Sequence, residues 1–351
     1  MNKEFEFTQG FVVSGLSNYV EQNRLPLISK VVLGGKTIGM LQKQLGIKTT
    51  ANLNILSLDP TIASGASCGF SAGNAPTLTE RALATGQMKV NLEICPRTLL
   101  GKWAEYQVRL GAGKDVLPFE QEIVDELIKG IQKKMEALVW TAKTSTYSGT
   151  DQFNGFATIA ANDSSATKNT ITSGKSAWEA VKETYDGMTD DMLEEGVIFV
   201  DPAIYRAFLS DLVAMNLYHY NPNDGVTEEI LFPASNVRVI NTPGLKNTKQ
   251  LFATSLRNMY FGTDLMDNME TVDVWFSKDS DVFRVKVAWN AGVQYAFSDL
   301  VILNTMAAAP VAVVGVAAGI AALNATQEGV ADILDDVHND AKHSLNSTTV
   351  A

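Results

Sequence analysis

Positions 69–73 read Gly69-Phe70-Ser71-Ala72-Gly73, the G-x-S-x-G spacing of a serine nucleophile elbow. That chemistry needs a strand entering and a helix leaving, so that the serine is raised on a strained turn. Here Asn74-Ala75-Pro76 follows and blocks a helix, and the small residues from Ser64 to Cys68 precede it in place of a buried strand. A general base for Ser71 would have to be His219, His338 or His343, the three histidines of the chain. A hydrolase built on Ser71 is therefore the lesser reading, and a loop tip the better one. His338 and His343 stand five residues apart, not at the i, i+4 spacing of a helical zinc pair. Cys68 and Cys95 lack metal-ligand spacing and read as small apolar fillers.

Other candidate groups fare no better. Residues Asn221 to Glu229 resemble a calcium loop only loosely, because the acids fall at the wrong offsets. The cluster Asp190, Asp191, Glu194 and Glu195 reads as a solvated turn between a helix and a strand. No glycine-rich phosphate loop sits between a strand and a helix. The expectation is no catalytic residue, no cofactor site and no metal site: a protein whose work is structural.

Composition narrows the classes further. Apolar residues make up 46% and charged residues 19% of 351, enough for a folded chain of two or three domains. The opening Met-Asn-Lys-Glu-Phe-Glu-Phe lacks the apolar stretch of a signal peptide, which points to a reducing compartment. The net charge of −11 is unevenly spread. Up to Val116 twelve cations face eight acids, a net of +4; the remainder holds sixteen cations and 31 acids, a net of −15. Two readings stand side by side: a cationic arm on an anionic body that favours docking of one copy's arm onto another copy's body, or ordinary solvated faces. No basic stripe with interleaved aromatics marks a sequence-specific nucleic-acid reader. Met306 to Leu323 is uncharged, but its Ala, Val and Gly content, Pro310 and lack of basic flanks argue for a packed appendage rather than a membrane span. An amphipathic helix near 327–341 is expected after it.

These chemically quiet residues are carried by distinctive elements. Ile123, Leu127, Ile128, Ile131, Met135, Leu138 and Ala142 recur at three- and four-residue steps, so a single amphipathic helix is expected over 118–144. Acids cluster at its start and lysines later, matching the helix dipole. Such a rod spans roughly 39 Å, far longer than the usual helix. Before it, 36–97 reads as extended chain: strands at 37–41, 52–58 and 87–94, the last returning antiparallel to the earlier ones, around a flexible Gly/Ser-rich middle. So little apolar bulk cannot build a core alone, so this ribbon is expected to pack on a neighbour. After the helix come a polar loop over 145–175, then a helix over 176–188 with a capping box of Ser176 and Glu179. Strand 197–200 breaks at Asp201-Pro202 into a helix over 203–215. Further strands are expected at 237–240, 250–254, 258–262, 271–276, 282–289 and 293–303, with a turn at Thr242-Pro243-Gly244.

In this order the elements resemble the major capsid proteins of tailed bacteriophages, with their Hong Kong 97-like α+β fold. The resemblance spans about residues 10–305. It rests on the ribbon of 36–97, the helix of 118–144, and Val197-Ile198-Phe199-Val200-Asp201-Pro202 leading into a helix. The Val237–Ile240 strand with its Pro243-Gly244 turn, Gln250 to Gly262, and the ending from Val282 to Leu303 complete it. The resemblance implies an N-terminal arm (1–35), an E-loop (36–97), a peripheral domain with the spine helix (98–175 and 263–305), an axial domain (176–262) and a tail (306–351). It implies self-assembly through hexamers and pentamers into an icosahedral shell that encloses double-stranded DNA without reading its sequence. The partners implied are other copies, a separate scaffolding protein, a portal and decoration proteins, with no membrane; the location is the virion capsid, assembled in the host cytoplasm. Lys36, Lys43 and Lys48 lie in or near the loop, but no motif marks a covalent crosslink. The same fold also serves encapsulin nanocompartments, and that alternative stays open.

Overall fold

The computed structural model describes residues 32–57, 77–95, 119–215, 229–264, 271–277, 279–280 and 282–310. Two sheets share one long helix. That helix, Phe119–Thr141, is preceded in the described chain by a short one, Lys36–Met40; these are α2 and α1. At 23 residues α2 is a rod of ~35 Å. Its buried face is Val124, Ile128, Ile131, Met135 and Val139 with Trp140. The face is turned slightly from the expected stripe, leaving Leu127 and Leu138 half-buried.

The first sheet runs β1 (Gln42–Leu45), β10 (Met259–Thr263), β12 (Val282–Tyr295) and β11 (Thr271–Ser277), with β4 (Gly86–Ile94) on the other side of β12. Strand β12 alternates cleanly: Phe283, Val285, Val287 and Trp289 are buried in the core cluster that also holds the α2 stripe, while Lys286 is exposed. The segment 282–303, expected as two strands split near 290, is instead this single 14-residue strand followed by β13 (Val301–Met306).

The second sheet is six-stranded, in the order β5 (Thr167–Ile171), β13, β9 (Gln250–Ser255), β6 (Gly196–Val200), β8 (Arg238–Asn241) and β7 (Glu229–Leu231). All five residues of β6 are buried, as both of its faces are covered. Val197 and Phe199 join the core of the long helix. Ile198 and Val200 join a second core with α4 (Ala177–Asp186) and α6 (Pro202–Ala214). The capping box on α4 forms as expected: Ser176 Oγ accepts from Glu179 N at 3.2 Å, and Glu179 Oε2 accepts from Ser176 N at 2.8 Å. Asp201 is the cap of α6, its Oδ1 accepting from Ala203 N and its Oδ2 from Lys249 N, both at 2.9 Å.

Four local expectations give way. Residues 37–41 alternate like a strand, yet 36–40 are helical, because partners from α2 satisfy the first turn. Strand β4 does not fold back on the earlier ribbon strands; it pairs antiparallel with β12, from Gly86 opposite Ala291 to Ile94 opposite Phe283. The strand that returns along β2 (Thr50–Ser57) is β3 (Thr77–Ala84), Thr50 lying opposite Ala84. The polar stretch 145–175 also holds α3 (Phe156–Asn162) and β5, since Phe156, Ala157 and Ala160 find buried places against the end of α2. The acidic cluster forms a short helix, α5 (Asp190–Glu195), rather than a bare turn.

Candidate functional site at the ribbon root

Ser71, Cys68, His219, His338 and His343 lie outside the described residues, as do Asn221 to Thr227 and the segment 311–351. Cys95 is exposed just past the end of β4, so it is not the buried filler its type suggested. In the acidic helix, Glu195 is engaged by exposed Arg257 at 2.6 Å, a surface ion pair. Among the described residues no group of three or more His, Cys, Asp or Glu is placed to hold a metal ion, and no helix is long and apolar enough to cross a membrane.

Buried polar chemistry gathers instead where the β2–β3 ribbon meets the body. Gly262 on β10 lies directly opposite Gly292 on β12. A Cβ on Gly262 would come within 2.9 Å of Leu83, and one on Gly292 would run into the backbone carbonyl of Ala84. The ribbon therefore sits on a patch of bare backbone. Leu83, Ile47 and Leu53 form a small core there, with Tyr260 packed against it. Polar bonds tie the edges: Ile47 N donates to Thr263 O (3.1 Å), Asn290 Nδ2 to Lys48 O (3.3 Å) and Gln294 Nε2 to Ala82 O (3.1 Å).

A charged bolt fixes β3. Asp163, just past α3, accepts through Oδ2 from Arg81 Nη2 (2.7 Å), Tyr295 OH (2.7 Å) and Ser298 Oγ (2.8 Å), and through Oδ1 from Ser165 N (3.0 Å). Arg81 also donates to Ser298 Oγ and lies 4.2 Å from the centroid of the Tyr295 ring, a cation–π contact. Burial pushes the Asp163 carboxyl up, but the bonds from Arg81, Tyr295, Ser165 and Ser298 outweigh it and hold it well below the ordinary carboxylate range. Burial and the Asp163 partner drive the Tyr295 phenol far upward, so it stays a donor.

A second bolt holds the chain where it leads into β1. Gly35 is the N-cap of α1 and has no side chain to cap with. Glu136 of α2 supplies the acceptor: its Oε2 takes Thr37 N at 3.0 Å, and its Oε1 takes the Thr37 hydroxyl. Trp140 Nε1 donates to the same hydroxyl at 3.0 Å, which orients its proton toward Glu136. Lys36 Nζ donates to Asn241 O at 2.8 Å, tying α1 to β8. Trp140 is fully buried, its ring centroid 4.8 Å from Phe199, 5.3 Å from Phe252 and 5.7 Å from Phe156. One residue thus joins the long helix, the second sheet, α3 and the ribbon root. Sequence reading missed both bolts, since their members lie 82 and 99 residues apart.

Ribbon, spine helix and two-sheet body together define the Hong Kong 97-like fold of tailed-phage major capsid proteins. Solved structures share this chain path. A chain of the satellite phage P4 procapsid, which includes a size determination protein, aligns with a TM-score of 0.56 at 13% identity, covering 81% of this chain and 90% of that one. A chain of Microbacterium phage Oxtober96 gives 0.52 at 15% identity, covering 78% and 91%. A chain of the capsid of an empty GTA particle gives 0.52 at 10%, covering 80% and 91%. No sequence-family model and no curated protein sequence matches the chain. At these identities the likeness is one of fold.

Proposed function

We propose that this chain is a major capsid protein that self-assembles through hexamers and pentamers into an icosahedral shell around double-stranded phage DNA. The observation that carries the reading is the alignment of about four-fifths of the chain, with a TM-score of 0.56, on a chain of a phage procapsid. In this reading 36–97 is an E-loop that lies over an adjacent copy. The spine helix with 98–175 and 263–305 is the peripheral domain, and 176–262 is the axial domain around the vertices. The role is structural and non-catalytic, with a separate scaffolding protein, a portal and decoration proteins as further partners. Assembly takes place in the host cytoplasm. The acidic body suits it, because packed DNA must slide against the shell rather than adhere.

Expression of the chain followed by negative-stain microscopy and sedimentation tests the proposal. Closed shells or hexameric capsomers are expected; a monomer that persists at high concentration refutes it. Nuclease-protected DNA inside shells recovered from infected cells separates a viral capsid from a nanocompartment, which would hold protein cargo.

A further inference from the structure

The body is acidic, yet one corner of it gathers lysines. A groove of about 780 Å³ lies where the end of α2, α3 and the start of β9 meet, lined among others by Thr141, Lys143, Ala157, Ala161, Thr248 and Gln250. Lys143 is exposed in its wall, and Lys246 and Lys249 are exposed on the turn that carries Thr248. Lys168 of β5 reaches the same edge, donating to Ala161 O at 3.2 Å. Among the described residues none of these lysines pairs with a carboxylate. The acids close by are already engaged: Asp151 accepts from Lys143 N and Asp201 from Lys249 N, both at 2.9 Å, and Asp163 is bolted to Arg81. Lys249 stands at φ 56°, a left-handed backbone that glycine would take without strain, so a lysine is kept there at a cost.

The chain leaves the body at this same corner. Met306, the last residue of β13, donates its N–H to Lys249 O at 2.9 Å, and the described chain ends at 310. In the sequence that follows, 328–340 holds Glu328, Asp332, Asp335, Asp336 and Asp340 and no lysine or arginine. The intervening 311–327 can span up to about 56 Å when extended, so reach does not limit contact with the groove. We propose that residues 328–340 dock on the lysine-rimmed groove of their own chain, their carboxylates answering Lys143, Lys168, Lys246 and Lys249. Opposite charge selects the segment. Tethering beside the groove gives it an effective concentration that a separate partner must exceed. The phosphates of double-stranded DNA are the competing anion, and they lack that tether. The consequence is that the chain neutralises its own lysine cluster instead of leaving it to capture polyanions. Docking takes place within one chain and stands independently of the shell reading.

Acetylation of lysines in the full-length unassembled chain, quantified residue by residue by mass spectrometry at low salt, tests it. Lys143, Lys246 and Lys249 are expected to react slowly relative to Lys286, which is exposed on the first sheet. The combined variant Asp332→Asn, Asp335→Asn, Asp336→Asn should raise their reactivity about three- to tenfold, each exposed ion pair being weak, and leave Lys286 unchanged. Salt at about 0.5 M should do the same to the wild-type chain, and dilution should change nothing, because the tail is tethered. Equal reactivity in wild type and variant overturns the docking. Should the variant not fold, wild-type reactivity that salt leaves unchanged overturns it as well. Protection lost on dilution assigns the groove to another copy and refutes docking within one chain. A double-stranded DNA fragment that protects these lysines where the tail does not assigns the groove to nucleic acid, and the proposal falls.

Discussion

Replacing Asp163 by asparagine removes one negative charge from the bolt that holds β3. The side chain is 13% exposed and its partner Arg81 22%, so the pair is mostly screened from water. Asp163 accepts four hydrogen bonds. An asparagine can keep its carbonyl toward Arg81, Tyr295 and Ser298, but its amide then faces Ser165 N, donor against donor. Charge-assisted bonds are worth about 1.5–3 kcal/mol each and neutral ones about 0.5–1.5. Weakening the Arg81 bond and losing the one to Ser165 N should cost about 2–4 kcal/mol at pH 7, read by urea unfolding of the unassembled chain. The pH dependence sharpens the test. Asp163 titrates below its unfolded value of 3.8, so its contribution is fully present above that value and is lost as pH falls through the lower folded one. The difference between wild type and Asp163→Asn should be constant from pH 5 to 8 and shrink below pH 3.8. A difference near zero at pH 7, or one undiminished at pH 3, refutes the reasoning.

Gly292→Ala places a methyl group against the Ala84 carbonyl, and backbone cannot yield as a side chain can, so a loss of at least about 1–3 kcal/mol is expected from the same urea titration. Ser176→Ala removes the capping box of α4 and should cost about 1 kcal/mol, visible as a lowered urea midpoint with unchanged slope. Assembly yield, followed by sedimentation, should fall as salt rises if the +4 arm region docks on the −15 body; a flat yield means that apolar burial drives assembly instead.

The amino-acid order alone determined the elements whose signals are local. The spine helix follows from one stripe of apolar steps, the start of α4 from Ser176 and Glu179, and the strand-to-helix break from Asp201-Pro202. Each depends on residues within a few positions of one another, so periodicity and capping reach them. Residues 37–41 show where such reasoning stops: their alternation suits a strand, and only Glu136, far along the chain, makes the helical turn preferable by accepting its N–H. The partner of β4 was equally hidden, because Val90 meets Val287 across nearly two hundred residues, and alternation says that a strand has a buried face without saying against what. The glycines at 262 and 292 looked like ordinary strand weaknesses until β10 and β12 set them opposite each other under the ribbon. Tertiary structure decided these features because close approach and desolvation belong to pairs of surfaces, and a sequence presents each surface alone.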